Sequence, residues 1–384
     1  MKQMATMTHF PAPPGAARRS ATSPIARAKR LAYRSGLLGA WHRWRNRDTL
    51  TVAMFHRVLP RSDPRAAGAD PEWTMTPESF AGCLDFFGRH YQVVSAQQVF
   101  AALEGDAALP PASLLITFDD GWADTAEFAQ PVLDRYRMPA LVFVAGGAIG
   151  QAAPFWEEGM FSFLATAPAA RARVDAALEE LGQAPLAAAP AADAEAGIRA
   201  VIRELGQRPR AEALALVAAL HRAKQDDRPD APAMMDPAQL RRLASGHTIG
   251  GHGMTHQPLI RVPDLAHELQ AAQASVSALL GQDRIVSMSL PHGAGSDSVL
   301  AACRAAGYRY LFDSRAHLNR LGAGTAAGDA IGPVGRIHIP ERPLLDADGR
   351  MDPTLLATWL FLRPTHMLAP RSAARAGTPS GLGK

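Results

Sequence analysis

Short apolar segments alternate with helical segments along most of this chain, and that alternation limits the folds it can adopt. Seven segments have the length and composition of strands, at residues 50–55, 91–94, 114–118, 140–144, 285–290, 308–312 and 336–339. Strands that alternate with helices predict parallel pairing. Seven or eight strands in roughly 240 residues favour a barrel over an open doubly wound sheet. We therefore predict an α/β fold, a distorted (β/α)7-8 barrel.

One long segment, from about residue 154 to residue 232, departs from this alternation. It is rich in alanine, has helical periodicity and contains no strand pattern. We predict an inserted helical segment within a barrel that spans residues 49–367. Residues 1–24 and 368–384 are rich in small residues and proline, and this composition predicts disorder at both ends.

Residues 25–48 carry a basic amphipathic pattern, in which seven Lys and Arg side chains alternate with leucines and tryptophans. One interpretation is a helix on an anionic membrane surface, which would make the chain a peripheral membrane protein. The other is a solvated helix whose apolar face packs on the barrel. Gly36 and Gly39 favour the second interpretation, because glycine weakens a free-standing helix.

The overall composition excludes some classes of function. A formal net charge of +4 on 384 residues gives no reason to expect nucleic acid or an acidic polymer as a partner. Cys83 and Cys303 are far apart in sequence and are expected to be buried thiols. No apolar run has the length of a transmembrane span, and residues 1–24 lack a secretory apolar segment. These features predict a cytoplasmic protein, at the inner membrane surface if residues 25–48 bind lipid.

Two short polar strings carry the chemistry of the chain. Residues 117–121, Thr-Phe-Asp-Asp-Gly, follow an apolar run, and residues 252–256, His-Gly-Met-Thr-His, place two imidazoles four positions apart. Adjacent side chains at a strand end point in different directions, so one carboxylate can face a metal while the other faces a reacting water. Two histidines at this spacing can bind the same ion. Together they predict a hydrolytic metal site.

These strings resemble the motifs of the polysaccharide deacetylase family, the NodB homology domain of carbohydrate esterase family 4. Residues 117–121 match the first motif and residues 249–259 the second, while residues 289–293 resemble the third. Residues 54–58, Met-Phe-His-Arg-Val, also resemble the early motif of a permuted branch of the family. The resemblance covers about residues 50–150 and 233–345, and it implies a barrel of the NodB type, as in glycoside hydrolases and deacetylases.

The resemblance implies a role for several positions. Asp120, His252 and His256 would hold one divalent metal ion, with zinc expected before cobalt, manganese or nickel. Asp119 would be the general base that takes a proton from the attacking water. His56, as in the permuted branch, would be the general acid that protonates the departing amine.

Alternatives remain for the proton donor and its neighbours. A late histidine, His338, is a second candidate for the acid, and His56 could instead hold the loop after the first strand. The third motif here lacks the usual arginine, and Arg336 could reach the base in its place. Backbone N–H groups near His292 and Gly293 would hold the oxyanion.

Trp122 could stack on a sugar, although it could also be an ordinary packing residue. The resemblance implies a metal-dependent hydrolase that removes N-acetyl or other N-acyl groups from an amino sugar of a polysaccharide or of a lipid-linked glycan precursor. Hydrolysis of another non-peptide C–N bond is an alternative, because a fold does not fix its substrate. A non-catalytic carbohydrate-binding protein is the third hypothesis, and the presence of both aspartates and both histidines argues against it.

Overall fold

The computed structural model describes residues 24–151, 155–187, 194–222, 233–321 and 332–368. Its strands are β1 Leu50–Phe55, β2 Arg57–Val58, β3 Thr74–Met75, β4 Gln92–Val93, β5 Ser113–Phe118, β6 Ala140–Val144, β7 Thr248–Gly251, β8 Ser287–Ser289, β9 Tyr310–Phe312, β10 Leu318–Leu321, β11 Ile337–His338 and β12 Thr365–Leu368. The ends predicted to be disordered lie outside the described residues, except Pro24 and Leu368.

The helices lie between these strands and in one insertion. They are α1 Pro24–Arg34, α2 Leu37–Arg45, α3 Pro77–His90, α4 Ala96–Glu104, α5 Gln130–Tyr136, α6 Trp156–Thr166, α7 Ala170–Glu180, α8 Ala194–Leu205, α9 Arg210–Arg222, α10 Pro237–Ala244, α11 Leu265–Leu280, α12 Asp297–Ala305 and α13 Pro353–Phe361. A π-helical turn, Thr125–Ala129, directly precedes α5.

Six parallel strands form the curved centre of the sheet, in the order β1, β5, β6, β7, β8, β9. β11 pairs with the free side of β1, where Ala53 faces Ile337. Three residues before Ile337, Val334 forms a parallel bridge to Phe312 in β9. The segment from Val334 to β11 therefore links the two edges of the curved sheet. The predicted distorted barrel is confirmed.

Five strands have no counterpart among the seven predicted segments, because each is short and carries few apolar residues: β2, β3, β7, β10 and β12. β10 runs antiparallel to β1, with Leu50 opposite Asn319, and β12 runs parallel to β10. Other strands are shorter than predicted: the segment 285–290 forms a strand only at Ser287–Ser289, and the segment 91–94 only at Gln92–Val93. Loop residues at strand ends can be as apolar as the strand itself, so composition overestimates these lengths.

Local signals explain where several helices begin. The Thr76 hydroxyl accepts the N–H of Ser79 at 3.2 Å, and Pro77 occupies the first position of α3. Proline fits there because the first helical N–H has no partner within the helix. The Asp236 carboxylate caps α10 in the same way, with Pro237 after it. Such caps orient the helices that cover the barrel.

Side chains of the strands alternate between two buried layers. In β5, Leu114 and Ile116 pack with the outer helices, while Leu115 packs with Phe143 and Phe312. Residues of α4 join this second layer, so α4 covers one end of the barrel interior. The period-two alternation of a strand accounts for both layers. The opposite end, where the strands have their carboxyl ends, carries the polar residues described below.

The chain between β6 and β7 contains four helices, α6 to α9. They share an apolar cluster separate from the barrel layers, with Met160, Val174, Leu178 and Leu216 at its centre. α6 also packs against the 3-10 turn Pro64–Gly68. These helices occupy the predicted inserted segment, of which residues 152–154, 188–193 and 223–232 lie outside the described residues.

The predicted single helix at residues 25–48 is wrong, because Gly36 adopts a left-handed conformation with φ of 78° and separates α1 from α2. Tyr33 and Trp41 pack on the barrel core, and the His42 ring stacks on Phe361 at 3.9 Å between centroids. These contacts favour the interpretation of a helix that packs on the barrel. Within the described residues, no helix has the length and apolar character needed to span a membrane.

Candidate active site

The polar strings meet at the carboxyl ends of the barrel strands. Asp119 and Asp120 follow β5 directly, and His252 follows β7. β5 and β7 flank β6 in the sheet, so both strings emerge on the same side of the barrel. Loops at this end carry the reacting groups in barrels of this kind.

Asp120, His252 and His256 form a cluster suited to a metal ion. Their ligand atoms all lie within 4.8 Å of one another. Asp120 Oδ1 is 3.3 Å from His252 Nε2 and 3.2 Å from His256 Nε2. This buried oxygen has no hydrogen-bond partner within the described ranges. Two imidazole nitrogens and one carboxylate oxygen are a donor set that Zn²⁺ accepts while one position stays open for a water or substrate.

Groups behind the three side chains fix their orientation. His252 Nδ1 donates a hydrogen bond to the carbonyl oxygen of Ser289 at 2.9 Å. The proton is therefore on Nδ1, and the lone pair of Nε2, which faces Asp120, is available to bind a metal. Glu268 accepts the backbone N–H groups of Met254 and Thr255, both at 2.8 Å, and so holds the loop before His256. These contacts position the imidazoles before any ligand binds.

Strained backbone conformations occur within the cluster. Asp120 has φ of 79° and His256 has φ of 58°, in the left-handed region that non-glycine residues rarely adopt.

The charge of Asp120 follows from its neighbours. Burial raises the pKa of Asp120, but the nearby imidazoles of His256 and His252 outweigh this effect and hold the pKa well below its usual value. Asp120 is therefore ionised at neutral pH.

Asp119 has a different set of partners. Arg336 Nη1 donates to Asp119 Oδ1 at 2.6 Å, and Nη2 donates to Oδ2 at 2.7 Å. Ser289 Oγ donates to Oδ2 at 3.2 Å. Burial raises the pKa of Asp119, but the Arg336 guanidinium and the His252 ring outweigh it and lower the pKa. A two-pronged arginine contact of this kind keeps a buried carboxylate charged and fixes its plane.

Both candidate proton donors lie beside Trp73. The indole ring is 4.6 Å from the His56 ring and 4.4 Å from the His338 ring, centroid to centroid. His338 Nε2 donates to the carbonyl oxygen of Glu72 at 2.9 Å, and burial lowers the pKa of His338 to about 3. His56 Nδ1 is buried without a hydrogen-bond partner in the part of the chain that the structure describes. His338 Nδ1 is unpaired in the same way, so the feature that separates the two histidines is the hydrogen bond from His338 Nε2 to Glu72. Burial lowers the pKa of His56 too.

Of the two residues predicted to supply oxyanion donors, Gly293 has its N–H engaged in this structure. Its N–H donates to the carbonyl oxygen of Leu290 at 2.8 Å, so the group already has a partner. Glycine is needed at this position because φ is +66° and an added Cβ would overlap the Ser314 side chain. His292 lies at the edge of the cluster, where its Nε2 donates to the carbonyl oxygen of His256 at 3.1 Å.

Trp122 cannot stack on a sugar, because its side chain is buried with only 3% exposed. Its Nε1–H donates to Asp120 Oδ2 at 2.8 Å, which fixes the carboxylate oxygen that does not face the histidines. A tryptophan next to a binding motif can pack or stack, and sequence does not distinguish the two. Trp73, at 39% exposed, lies beside His56 and His338 instead.

Three supporting residues were not predicted. Ser289 contacts Asp119, Arg336 and His252, and it ends β8 as the first residue of the third motif. Glu268 comes from α11, and Phe155 stacks on His256 at 4.1 Å between ring centroids. The position of Ser289 within the motif was a usable signal. No sequence pattern marked Glu268 or Phe155, because their contacts depend on how helices pack on the barrel.

Comparison with known proteins agrees with this arrangement. A family model described as polysaccharide deacetylase matches residues 106–311, which is more than half of the chain. The YxkH protein of Bacillus subtilis (strain 168), whose name places it among the polysaccharide deacetylases, is 27% identical over 137 residues. That match covers 36% of this chain and 46% of YxkH, so it spans about half the length of that relative.

Two solved structures are similar to this chain. IcaB from Ammonifex degensii superimposes with a TM-score of 0.50 at 20% sequence identity, over 82% of this chain and 97% of IcaB. The deacetylase PplD of Streptococcus pyogenes, solved in complex with acetate, has a TM-score of 0.49 at 16% identity and covers 82% of this chain and 99% of PplD. The likeness to IcaB shows a common architecture.

Proposed function

We propose that this chain, which belongs to the polysaccharide deacetylase family, is an N-deacetylase and that the cluster around Asp119 and Asp120 is its metal-dependent active site. The observation that carries this proposal is the contrast between the two carboxylates. Asp120 Oδ1 faces two imidazole nitrogens without a hydrogen bond from the described residues, and Asp119, next to it, is held by Arg336. A metal ligand and a charged base thus stand side by side.

Asp120, His252 and His256 would hold the ion. A divalent cation there supplies Lewis acidity, which polarises a carbonyl oxygen and makes a water easier to deprotonate. Zinc fits the donor set, and cobalt, manganese and nickel are alternatives for the same ligands.

Asp119 is the proposed general base. Its two carboxylate oxygens accept hydrogen bonds from the Arg336 guanidinium, which keeps the carboxylate ionised and fixes its plane. In this state Asp119 can take a proton from the attacking water. The proton must then reach the amine that leaves. His56 is the proposed donor, since the Nε2–H of His338 is engaged with the carbonyl oxygen of Glu72.

The proposed substrate is an N-acetylated amino sugar within a polysaccharide or a lipid-linked glycan precursor. The acetamide would lie beside the three metal-binding residues, with its carbonyl carbon next to the water that Asp119 would deprotonate. The backbone N–H of His292 is the remaining proposed oxyanion donor, because that of Gly293 is engaged. Hydrolysis of a different non-peptide C–N bond would use the same groups, so substrate identity is an experimental question.

Acetate release from oligomers of N-acetylglucosamine tests this function. We expect the zinc-loaded protein to release acetate, a chelator to stop the release, and added zinc to restore it. A matched protein with Asp175→Asn, which alters an exposed ion pair on α7, should behave as the wild type. Acetate release that persists after complete removal of metal would contradict metal dependence, and no release from any N-acetylated amino sugar would contradict the substrate class.

Peripheral membrane association is a further proposal, carried by the outer face of α1 and α2. Ile25, Leu31, Leu37 and Trp44 are 67–75% exposed there, among side chains of arginine and lysine. Such a face suits an anionic lipid surface. Sedimentation with anionic vesicles should bring down the full chain more than a protein without residues 1–47, and equal sedimentation of the two would remove the idea.

A further inference from the structure

The helical insertion touches the residues around the metal cluster at both of its ends. At its start, Phe155 lies against His256 and Glu158 points to Arg57. At its end, the residues that lead into α10 pair with the loop after β5: Trp122 and Met234 form an antiparallel bridge. The two ends of the insertion therefore border the loop that carries Asp120.

A chain of contacts runs from Glu158 to the metal-binding carboxylate. Glu158 Oε1 accepts Arg57 Nη1 at 2.7 Å, and Asp124 Oδ2 accepts Arg57 Nε at 2.9 Å. The Arg57 guanidinium lies over the Trp122 ring at 4.3 Å from its centroid. Trp122 Nε1–H in turn donates to Asp120 Oδ2 at 2.8 Å. Each contact restrains the orientation of the side chains that it joins: three are hydrogen bonds with a charged partner, and one is a cation over an aromatic face.

Burial makes these contacts rigid. Arg57 is 5% exposed, Asp124 is fully buried and Trp122 is 3% exposed. A buried guanidinium without carboxylates would be costly, so Arg57 cannot leave Glu158 and Asp124 without a large loss of stability. Because Arg57 covers one face of the indole, the Trp122 N–H has little freedom to turn from Asp120.

A second arm of the insertion reaches a different ligand. The Phe155 ring stacks on the His256 imidazole at 4.1 Å between centroids, with 29° between the planes, and it lies nearly perpendicular to the Trp122 ring at 5.6 Å between centroids. His256 Nδ1 is buried and lacks a hydrogen-bond partner in the described ranges, so no hydrogen bond there orients the ring. The stacking contact with Phe155 does so instead.

We propose that the insertion is a positioning part of the metal centre: through Glu158, Arg57 and Trp122 it orients Asp120, and through Phe155 it orients His256. The inference rests on the proposed metal site. It assigns positioning roles to Arg57, Trp122, Glu158 and Phe155, which act through the proposed ligands Asp120 and His256. Groups behind metal ligands typically change metal affinity by about 10–100-fold when they are altered.

Zinc affinity of the full chain, measured by competition with a chromophoric chelator, tests the proposal. We expect Trp122→Phe, which keeps an aromatic side chain but loses the indole N–H, to bind zinc about 10–100-fold more weakly than the wild type. Glu158→Gln and Phe155→Leu should weaken binding in the same direction. Asp175→Asn, which alters an exposed ion pair elsewhere in the insertion, should bind zinc as the wild type does.

A second readout separates positioning from damage to the fold. Acetate release by the three variants should approach the wild-type rate once zinc is in excess, because the reacting groups are unchanged. Wild-type zinc affinity in both Trp122→Phe and Glu158→Gln would overturn the inference, as would lost activity that excess zinc does not restore in variants with wild-type circular dichroism. Should one variant fail to fold, the other two give the same comparison.

The proposed function fails in a different way. If the wild type binds no zinc, both the function and the inference are overturned. If the variants bind zinc more weakly than the wild type but the wild type releases no acetate from any amino sugar, the inference is supported and the substrate assignment is lost.

Discussion

The surroundings of Asp119 and of Asp120 differ, although the two residues are neighbours in sequence. Both oxygens of Asp119 accept hydrogen bonds from Arg336, and one also accepts from Ser289. Asp120 has one oxygen held by Trp122, while the other faces His252 and His256 with no hydrogen bond from the described residues.

The difference shows how two adjacent carboxylates can have separate chemical roles. A carboxylate with both oxygens paired to a guanidinium is kept ionised and fixed in its plane. A buried carboxylate oxygen that lacks a donor is costly unless a cation approaches it. Asp119 is thus prepared as a base and Asp120 as a ligand, and substitutions around each should give different kinds of loss.

The largest effect is expected from Asp120→Asn. Asparagine keeps the shape of the side chain but removes the charge that faces the two imidazoles, so zinc affinity should fall by roughly 100-fold or more. Acetate release should fall with it. Zinc affinity by chelator competition checks this expectation, and near-wild-type binding would place the ion elsewhere.

The next effect separates the two histidines beside Trp73. His56→Ala should lower kcat for acetate release by about 10²–10⁴-fold, as is usual for loss of a general acid. His338→Ala should cost less, because His338 Nε2 already donates to Glu72. An aryl acetate ester needs no proton on its leaving group, so with this substrate the loss in His56→Ala should shrink. The reverse order of the two variants would assign the acid to His338.

Arg336→Met tests how much the paired arginine stabilises the Asp119 carboxylate. It leaves Asp119 as a buried carboxylate without its cation, and removal of one partner from a buried pair typically costs about 3–5 kcal/mol of folding free energy. Urea denaturation measures this change. The double variant Arg336→Met with Asp119→Asn should recover part of the stability, because no unpaired charge remains. Zinc affinity should change little, since Arg336 does not contact the metal cluster.

Local signals in the sequence predicted much of the fold. β1 has the predicted bounds, and Thr76 and Pro77 begin α3 as their capping chemistry requires. β10 and β12 were missed because their pairing depends on contacts with distant segments and not on apolar pattern. The break at Gly36 was visible as a weak point, but the sequence did not show that the helix would end there.

The candidate site was predictable where adjacent residues carry it. The two strings predicted a metal site, the family resemblance implied Asp120, His252 and His256 as its ligands, and the structure brings these three together. Arg336 meets Asp119 across 217 positions of sequence, a contact that was suggested only because the third motif lacks an arginine. The surroundings of Trp122 depend on Arg57 and on the insertion, so no local pattern could tell a buried indole from a stacking one.

The separation of roles between Asp119 and Asp120 is tested most directly by Asp119→Asn, with zinc content and acetate release measured on the same preparation. We expect near-wild-type zinc affinity, because His252, His256 and Asp120 are intact, together with a loss of hydrolysis of about 10²–10⁴-fold. A variant that loses zinc, or one that binds zinc and still releases acetate at the wild-type rate, would contradict the account.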